Sequence, residues 1–148
     1  MATFNALVKG NKTFRDTSAA DTYNIGVDAT RVTIAGSMKS GDIINIEGLA
    51  SEYTVRASGR TITLKSDSQT ITFQLDSKTG STSVRFLDGD LTASYNGKAA
   101  TLGTQKLSAK YADVNDAVMG ANDSQTAIDA ANNPGSGSGS GSSGSTGS

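Results

Sequence analysis

The most regular stretch of the chain lies between residues 41 and 89, where apolar and polar side chains alternate through five successive runs. Ile44 and Ile46 open the series. Tyr53 and Val55, Ile62 and Leu64, then Ile71, Phe73 and Leu75, and finally Val84 and Phe86 continue it. A period of two is what a half-buried strand requires, because successive side chains leave opposite faces of the sheet. Turn residues punctuate the runs. Ser58-Gly59 joins runs 52–57 and 60–65 as a tight hairpin, Ser66-Asp67-Ser68 precedes 69–76, and Ser77-Lys78-Thr79-Gly80 leads into 81–87. Connections this short predict that consecutive strands are neighbours in an antiparallel meander.

Weaker runs flank this ladder. Upstream they are 4–8, 13–15, 22–25 and 30–35; in the last, Val32 and Ile34 face one way and Arg31 and Thr33 the other. Run 4–8, with Phe4, Ala6 and Val8 alternating with Asn5 and Leu7, reads either as the first strand of the domain or as an arm that adds a strand to a neighbouring copy. Downstream, 91–95 and 98–102 flank Asn96-Gly97, the strongest short-range hairpin signal, and 105–109 follows. From residue 111 the character changes to Ala, Asp and Asn. Val114 with Val118, and Ala127 and Ile128 with Ala131, lie at helical spacing, which predicts a helix or two short ones broken at Gly120. Asn133-Pro134 ends that segment, and 134–148 is a Gly/Ser linker or tail. The expected organisation is an arm or first strand at 1–19, a core at 20–110, an Ala/Asp/Asn-rich segment at 111–133 and the tail at 134–148. The expected fold is an all-β antiparallel sandwich of meander or jelly-roll type, with a short C-terminal helix.

Composition narrows the chemistry. Of 148 residues only 5% are aromatic and none is Trp, so the core must rest on Ile, Val, Leu and Ala, which suits thin layers of sheet. Cys and His are both absent. Disulfides, Cys or His nucleophiles, Ser-His-Asp triads and zinc sites built on Cys or His are therefore excluded. Glu47 and Glu52 are the two glutamates, with no Trp platform beside them, and do not suggest a glycosidase pair. The chain is expected not to be an enzyme. A net charge of −1 without a basic patch points away from nucleic acid. No apolar run approaches the roughly 18 residues of a membrane span. Residues 1–14 lack the pattern of a secretory signal, so an exported chain is expected either to use a route without an N-terminal Sec signal or to have had its signal removed. The wealth of Thr, Ser, Asn, Asp and Gly is the composition of a bacterial extracellular protein.

One ordered set of residues adds a family likeness. Asp42, Ile44, Ile46, Gly48, Tyr53, Thr54 and Val55 are followed by Gly59, Ile62, Thr63 and Leu64. Val84, Phe86, Asp88, Gly89 and Leu91 come next, and Thr101-Leu102-Gly103 trails. This pattern resembles the β-sandwich modules of bacterial type I-secreted RTX-like and surface-layer exoproteins. The resemblance spans about residues 20–108 and is most distinctive from Phe86 to Leu91. It implies an all-β module, secreted or held at the cell surface, that serves adhesion, surface layers or extracellular fibres. The Gly-Gly-x-Gly-x-Asp calcium repeats of such proteins are missing from the sequence.

Candidate sites are sparse. Asp88 and Asp90 offer two carboxylates to Ca²⁺, which takes six to eight oxygen ligands; an ordinary turn is the alternative. Asp113 and Asp116 form a second small cluster that departs from EF-hand spacing. Ca²⁺ is thus the one cofactor suggested. Phe4, Ala6 and Val8, with Tyr95 beside the Asn96-Gly97 turn, are the candidate assembly contacts. The expected function is a self-associating structural subunit of an extracellular assembly, a surface layer, filament or matrix fibre. Its extended terminal segments would add strands to neighbouring copies, a head-to-tail contact that need not close. The alternative is a carbohydrate-binding or adhesion module of a larger secreted protein, with surface glycans as partner.

Overall fold

Alternating runs with β-branched and aromatic residues on one face bury that face only by pairing two sheets. The computed structural model describes residues 3–17, 20–38, 41–76, 81–114 and 128, and among them thirteen strands form two mixed sheets packed as an all-β sandwich. The first five are β1 (Thr3–Ala6), β2 (Gly10–Arg15), β3 (Thr22–Ile25), β4 (Ala29–Met38) and β5 (Ile43–Ile46). A single 3₁₀ turn, Ala50–Glu52, leads to β6 (Thr54–Ser58), β7 (Thr61–Lys65), β8 (Thr70–Leu75) and β9 (Ser81–Phe86). β10 (Gly89–Tyr95), β11 (Ala100–Leu102), β12 (Gln105–Lys106) and β13 (Ala112–Asp113) complete the described chain.

The first sheet has the order β1-β3-β5-β9-β10-β11-β12 and the second β13-β6-β7-β8-β4-β2. Between them lies one core, whose largest fully buried side chains include Tyr23, Phe73, Phe86, Ile25, Ile62 and Leu64. The two hairpin signals behave as expected. Gly59 sits at φ +61° in the two-residue turn between Ser58 and Thr61, and the Asn96 side chain accepts the Lys98 and Ala99 amides at 3.0 and 2.9 Å.

The antiparallel meander holds for β6-β7-β8 and β9-β10-β11-β12, but not for the first half of the chain. There the chain winds from one sheet to the other and back. β1, β3, β5 and β9 pair in parallel, as do β2, β4 and β8. Thr3 pairs with Thr22 and Thr22 with Ile43, so each coil takes about twenty residues. A hairpin, β6-β7, is inserted in the third coil, which is why β5 and β9 meet at Ile43 and Ser83. The physical reason is that alternation marks a strand without marking its direction, and a short connection can turn a corner between sheets as well as reverse within one.

Residues 3–15, read as an arm or a first strand, supply the first strand of each sheet. Residues 111–114 are not helical: Ala112–Asp113 pairs with Thr54 and Val55 of β6, and the buried Val114 N–H donates to the Tyr53 carbonyl at 3.4 Å. The rest of the helix expectation lies outside the described residues, apart from Ile128, which is helical and fully buried. The tail at 134–148 also lies outside them. No helix among the described residues is long and apolar enough to cross a membrane.

Candidate functional site

Parallel, in-register strands place identical side chains directly above one another, and amides so placed bond along the stack. β1, β3 and β5 carry Thr-Phe-Asn-Ala, Thr-Tyr-Asn-Ile and Ile-Ile-Asn-Ile. Their asparagines form a ladder: Asn24 Nδ2 donates to Asn5 Oδ1 at 2.9 Å, and Asn45 Nδ2 donates to Asn24 Oδ1 at 2.9 Å. One position earlier, the Phe4 ring stacks on Tyr23 at 5.0 Å and 15° between planes, and Phe14 of β2 tilts against both. The turns stack as well. Gly26 N–H donates to the Ala6 carbonyl at 2.8 Å and Glu47 N–H to the Ile25 carbonyl at 3.0 Å.

The ladder stops differently at its two ends. At the inner end Arg85 takes the next register position after Asn45, and Asn45 Oδ1 and Arg85 Nε are buried without a hydrogen-bond partner. At the outer end Asn5 is exposed, and among the described residues no strand pairs with the far side of β1. The far side of β2 is equally uncovered, but it carries exposed Lys12 and Arg15, whereas β1 carries no charge. Charged side chains on an edge are a common guard against strand addition. At this end of the sandwich, one sheet therefore ends on a guarded edge and the other on an unguarded one.

Beside this end the coil corners hold three acids. Asp16, Asp21 and Asp42 bring carboxylate oxygens within 4.8 Å of one another, the one such group among the described residues. Each is used as a corner staple. Asp21 Oδ2 accepts Thr17 N–H at 2.8 Å, Asp42 Oδ1 accepts Asp21 N–H at 2.8 Å, and Asp16 Oδ1 accepts the Tyr23 hydroxyl at 2.7 Å. Burial pushes the Asp16 carboxyl up from 3.8 to about 7; the Tyr23 hydroxyl opposes the rise, and the carboxylates of Asp42 and Asp21 add to it. Burial, then the Asp16 bond, pushes the Tyr23 phenol well above the ordinary tyrosine range.

The Asp16 shift carries a sign. Between about pH 4 and 7 the folded chain keeps a proton on Asp16 that the unfolded chain has released, so folded stability declines as pH rises through that window. Urea unfolding across the window is expected to show this decline in wild type and a flatter profile in Asp16→Asn. A wild-type midpoint that rises from pH 4 to 7 as steeply as the variant's contradicts it.

Among the described residues, the anticipated metal ligands Asp88, Asp90 and Asp113 do not belong to a shared cluster of acids. Asp88 is exposed and accepts the Ala50 N–H at 3.0 Å, which anchors the 3₁₀ turn. Asp90 lies 3.6 Å from Arg85 Nε, its cross-strand partner. Asp113 is exposed on β13, and Asp116 is outside the described residues. Among the assembly candidates, Ala6 is fully buried, Phe4 is half-buried in the ring stack, and Val8 is 64% exposed at a coil turn. Tyr95, expected as an exposed contact, packs half-buried against the core.

Comparison with protein-family models, curated proteins and solved structures finds no match. The site therefore rests on its own geometry. Its residues Asn5, Asn24, Asn45, Asp16 and Asp21 escaped the strand-by-strand reading, although a signal exists. Asp21-Thr-Tyr-Asn24-Ile25-Gly26 returns as Asp42-Ile-Ile-Asn45-Ile46-Glu47-Gly48, an internal repeat that marks stacked coils.

Proposed function

We propose that the chain is a structural module of an extracellular bacterial assembly, a surface layer, filament or matrix fibre, that self-associates by strand addition on the outer edge of β1. The observation that carries this reading is the uncharged outer edge of the first coil, where the Asn5-Asn24-Asn45 ladder and the Phe4-Tyr23 stack both run out toward solvent. An edge strand offers a row of backbone donors and acceptors to another chain. A segment of a second copy laid along β1 continues the backbone ladder and covers the Asn5 amide. The module acts as a scaffold and not as a catalyst, and no cofactor is needed for the contact. The RTX-like sequence pattern supports a secreted or cell-surface location and type I export.

Sedimentation velocity over a concentration series tests this on the full chain. Wild type is expected to form large species as concentration rises. Asn5→Lys, which sets a charge over the open end, is expected to stay monomeric with an unchanged circular dichroism spectrum. Wild type that remains monomeric at every concentration, or a variant that assembles equally well, overturns the reading.

A further inference from the structure

The outer face of the second sheet carries a feature that the edge contact does not use. Residues of β4, β6, β7 and β8 line a groove of about 380 Å³ there, with Tyr111 as its wall. The pairing registers put its side chains in rows. Lys65, Thr70 and Arg31 lie side by side on β7, β8 and β4; Arg56, Thr63, Thr72 and Thr33 form the adjoining row. Lys65 and Arg31, two strands apart, stand roughly 10 Å from each other along the row. The Tyr111 ring, 38% exposed, is held by Arg56 at 4.8 Å and Lys65 at 5.6 Å.

The charge of this face is one-sided. Arg31, Arg56 and Lys65 are all exposed, and among the described residues none has an acidic side chain within ion-pair reach. Among the described residues no acid lines the groove; Asp113 borders it on β13. Between the cations the floor is hydroxyl: Ser58, Thr61, Thr63, Thr70 and Thr72. Three cations gathered over a bed of hydroxyls, in a chain whose net charge is −1, are a local concentration of positive charge and not a general one.

We propose that this groove binds an anionic polysaccharide, a chain of sugars bearing carboxylate or sulfate groups. Arg and Lys pair with the acidic groups, the threonine hydroxyls meet sugar hydroxyls, and the free part of the Tyr111 ring offers a platform for a sugar face. Nucleic acid fits less well, because single strands are held by a series of stacked aromatic rings and this face has one. A membrane surface fits less well too, since among the described residues of the groove Tyr111 is the single large apolar side chain, and Arg56 and Lys65 already sit over its ring.

Calorimetric titration of the full chain with oligogalacturonate (carboxylate) and with dextran sulfate (sulfate) tests the proposal, with neutral dextran and single-stranded DNA as comparison ligands. At least one acidic glycan is expected to bind, with affinity that falls as salt rises, and the two arms tell which anion is preferred. Arg31→Gln/Arg56→Gln/Lys65→Gln is expected to weaken binding at least tenfold. The charge-matched Lys9→Gln/Lys98→Gln/Lys106→Gln, at exposed positions away from the groove, is expected to leave it within twofold. Tyr111→Ala, which leaves all three cations, is expected to weaken glycan binding severalfold. Failure of both acidic glycans to bind better than neutral dextran overturns the proposal. So does an equal loss in the two triple variants, or DNA binding as tight as the better glycan. Because no β1 residue is altered, the result is independent of the assembly test.

Discussion

Gln69→Ala is expected to destabilise the fold by about 3–5 kcal/mol, because three buried groups each lose a hydrogen bond at once, while the Gly26 carbonyl keeps only the longer bond from the Ala29 N–H at 3.2 Å. Gln69 is 3% exposed. Its Nε2 donates to the Gly26 carbonyl at 2.8 Å and the Ala29 carbonyl at 2.9 Å, and its Oε1 accepts the Tyr53 hydroxyl. The side chain thus ties the β7-β8 turn to the β3-β4 turn and, through Tyr53, to the Phe86 ring 5.6 Å away. Tyr53 is itself 4% exposed, and Gly48 packs so closely on its ring that an added Cβ would lie 2.8 Å from it. A domain holds only about 5–15 kcal/mol in total, so a loss of this size shifts the urea midpoint far or prevents folding. Tyr53→Phe removes one partner and is expected to cost about 1–3 kcal/mol. A Gln69→Ala loss no larger than that of Tyr53→Phe contradicts the staple.

Asn24→Ala follows, at about 2–4 kcal/mol. Asn24 is the middle rung: it donates to Asn5 and accepts from Asn45, and both it and Asn45 are buried. Removing it strands the Asn45 amide, whose Oδ1 already lacks a partner. Asn5→Ala, at the exposed end, loses one bond that water can replace and is expected to cost about 0.5–1.5 kcal/mol. Chemical denaturation of the two variants checks the gradient from middle to end. Equal losses would mean that the ladder does not work as a stack.

The all-β class was legible because alternation is a local property, written in pairs such as Ile62 and Leu64, and two turns announced themselves through Ser58-Gly59 and Asn96-Gly97. Direction was not. A strand such as Thr22–Ile25 has the same pattern whether its neighbour runs with it or against it, and only the recurrence of Asp-x-x-Asn-Ile twenty-one residues later discloses the parallel coil. The outer groove was illegible for a related reason. Arg31, Arg56 and Lys65 are scattered in sequence, and only the registers of β4, β6, β7 and β8 bring them together. Asp88 and Asp90 show the opposite case. They are near in sequence, yet one caps a distant turn through Ala50 and the other faces Arg85.

If copies meet at the uncovered edge of β1, as we propose, hydrogen exchange at Thr3–Ala6 reads that contact directly. Measured on dilute and concentrated wild type and on Asn5→Lys, exchange at these amides is expected to slow with concentration in wild type alone, while β2 and the inner strands do not change. Exchange at Thr3–Ala6 that is the same at both concentrations, while large species form, would place the contact elsewhere and contradict the account.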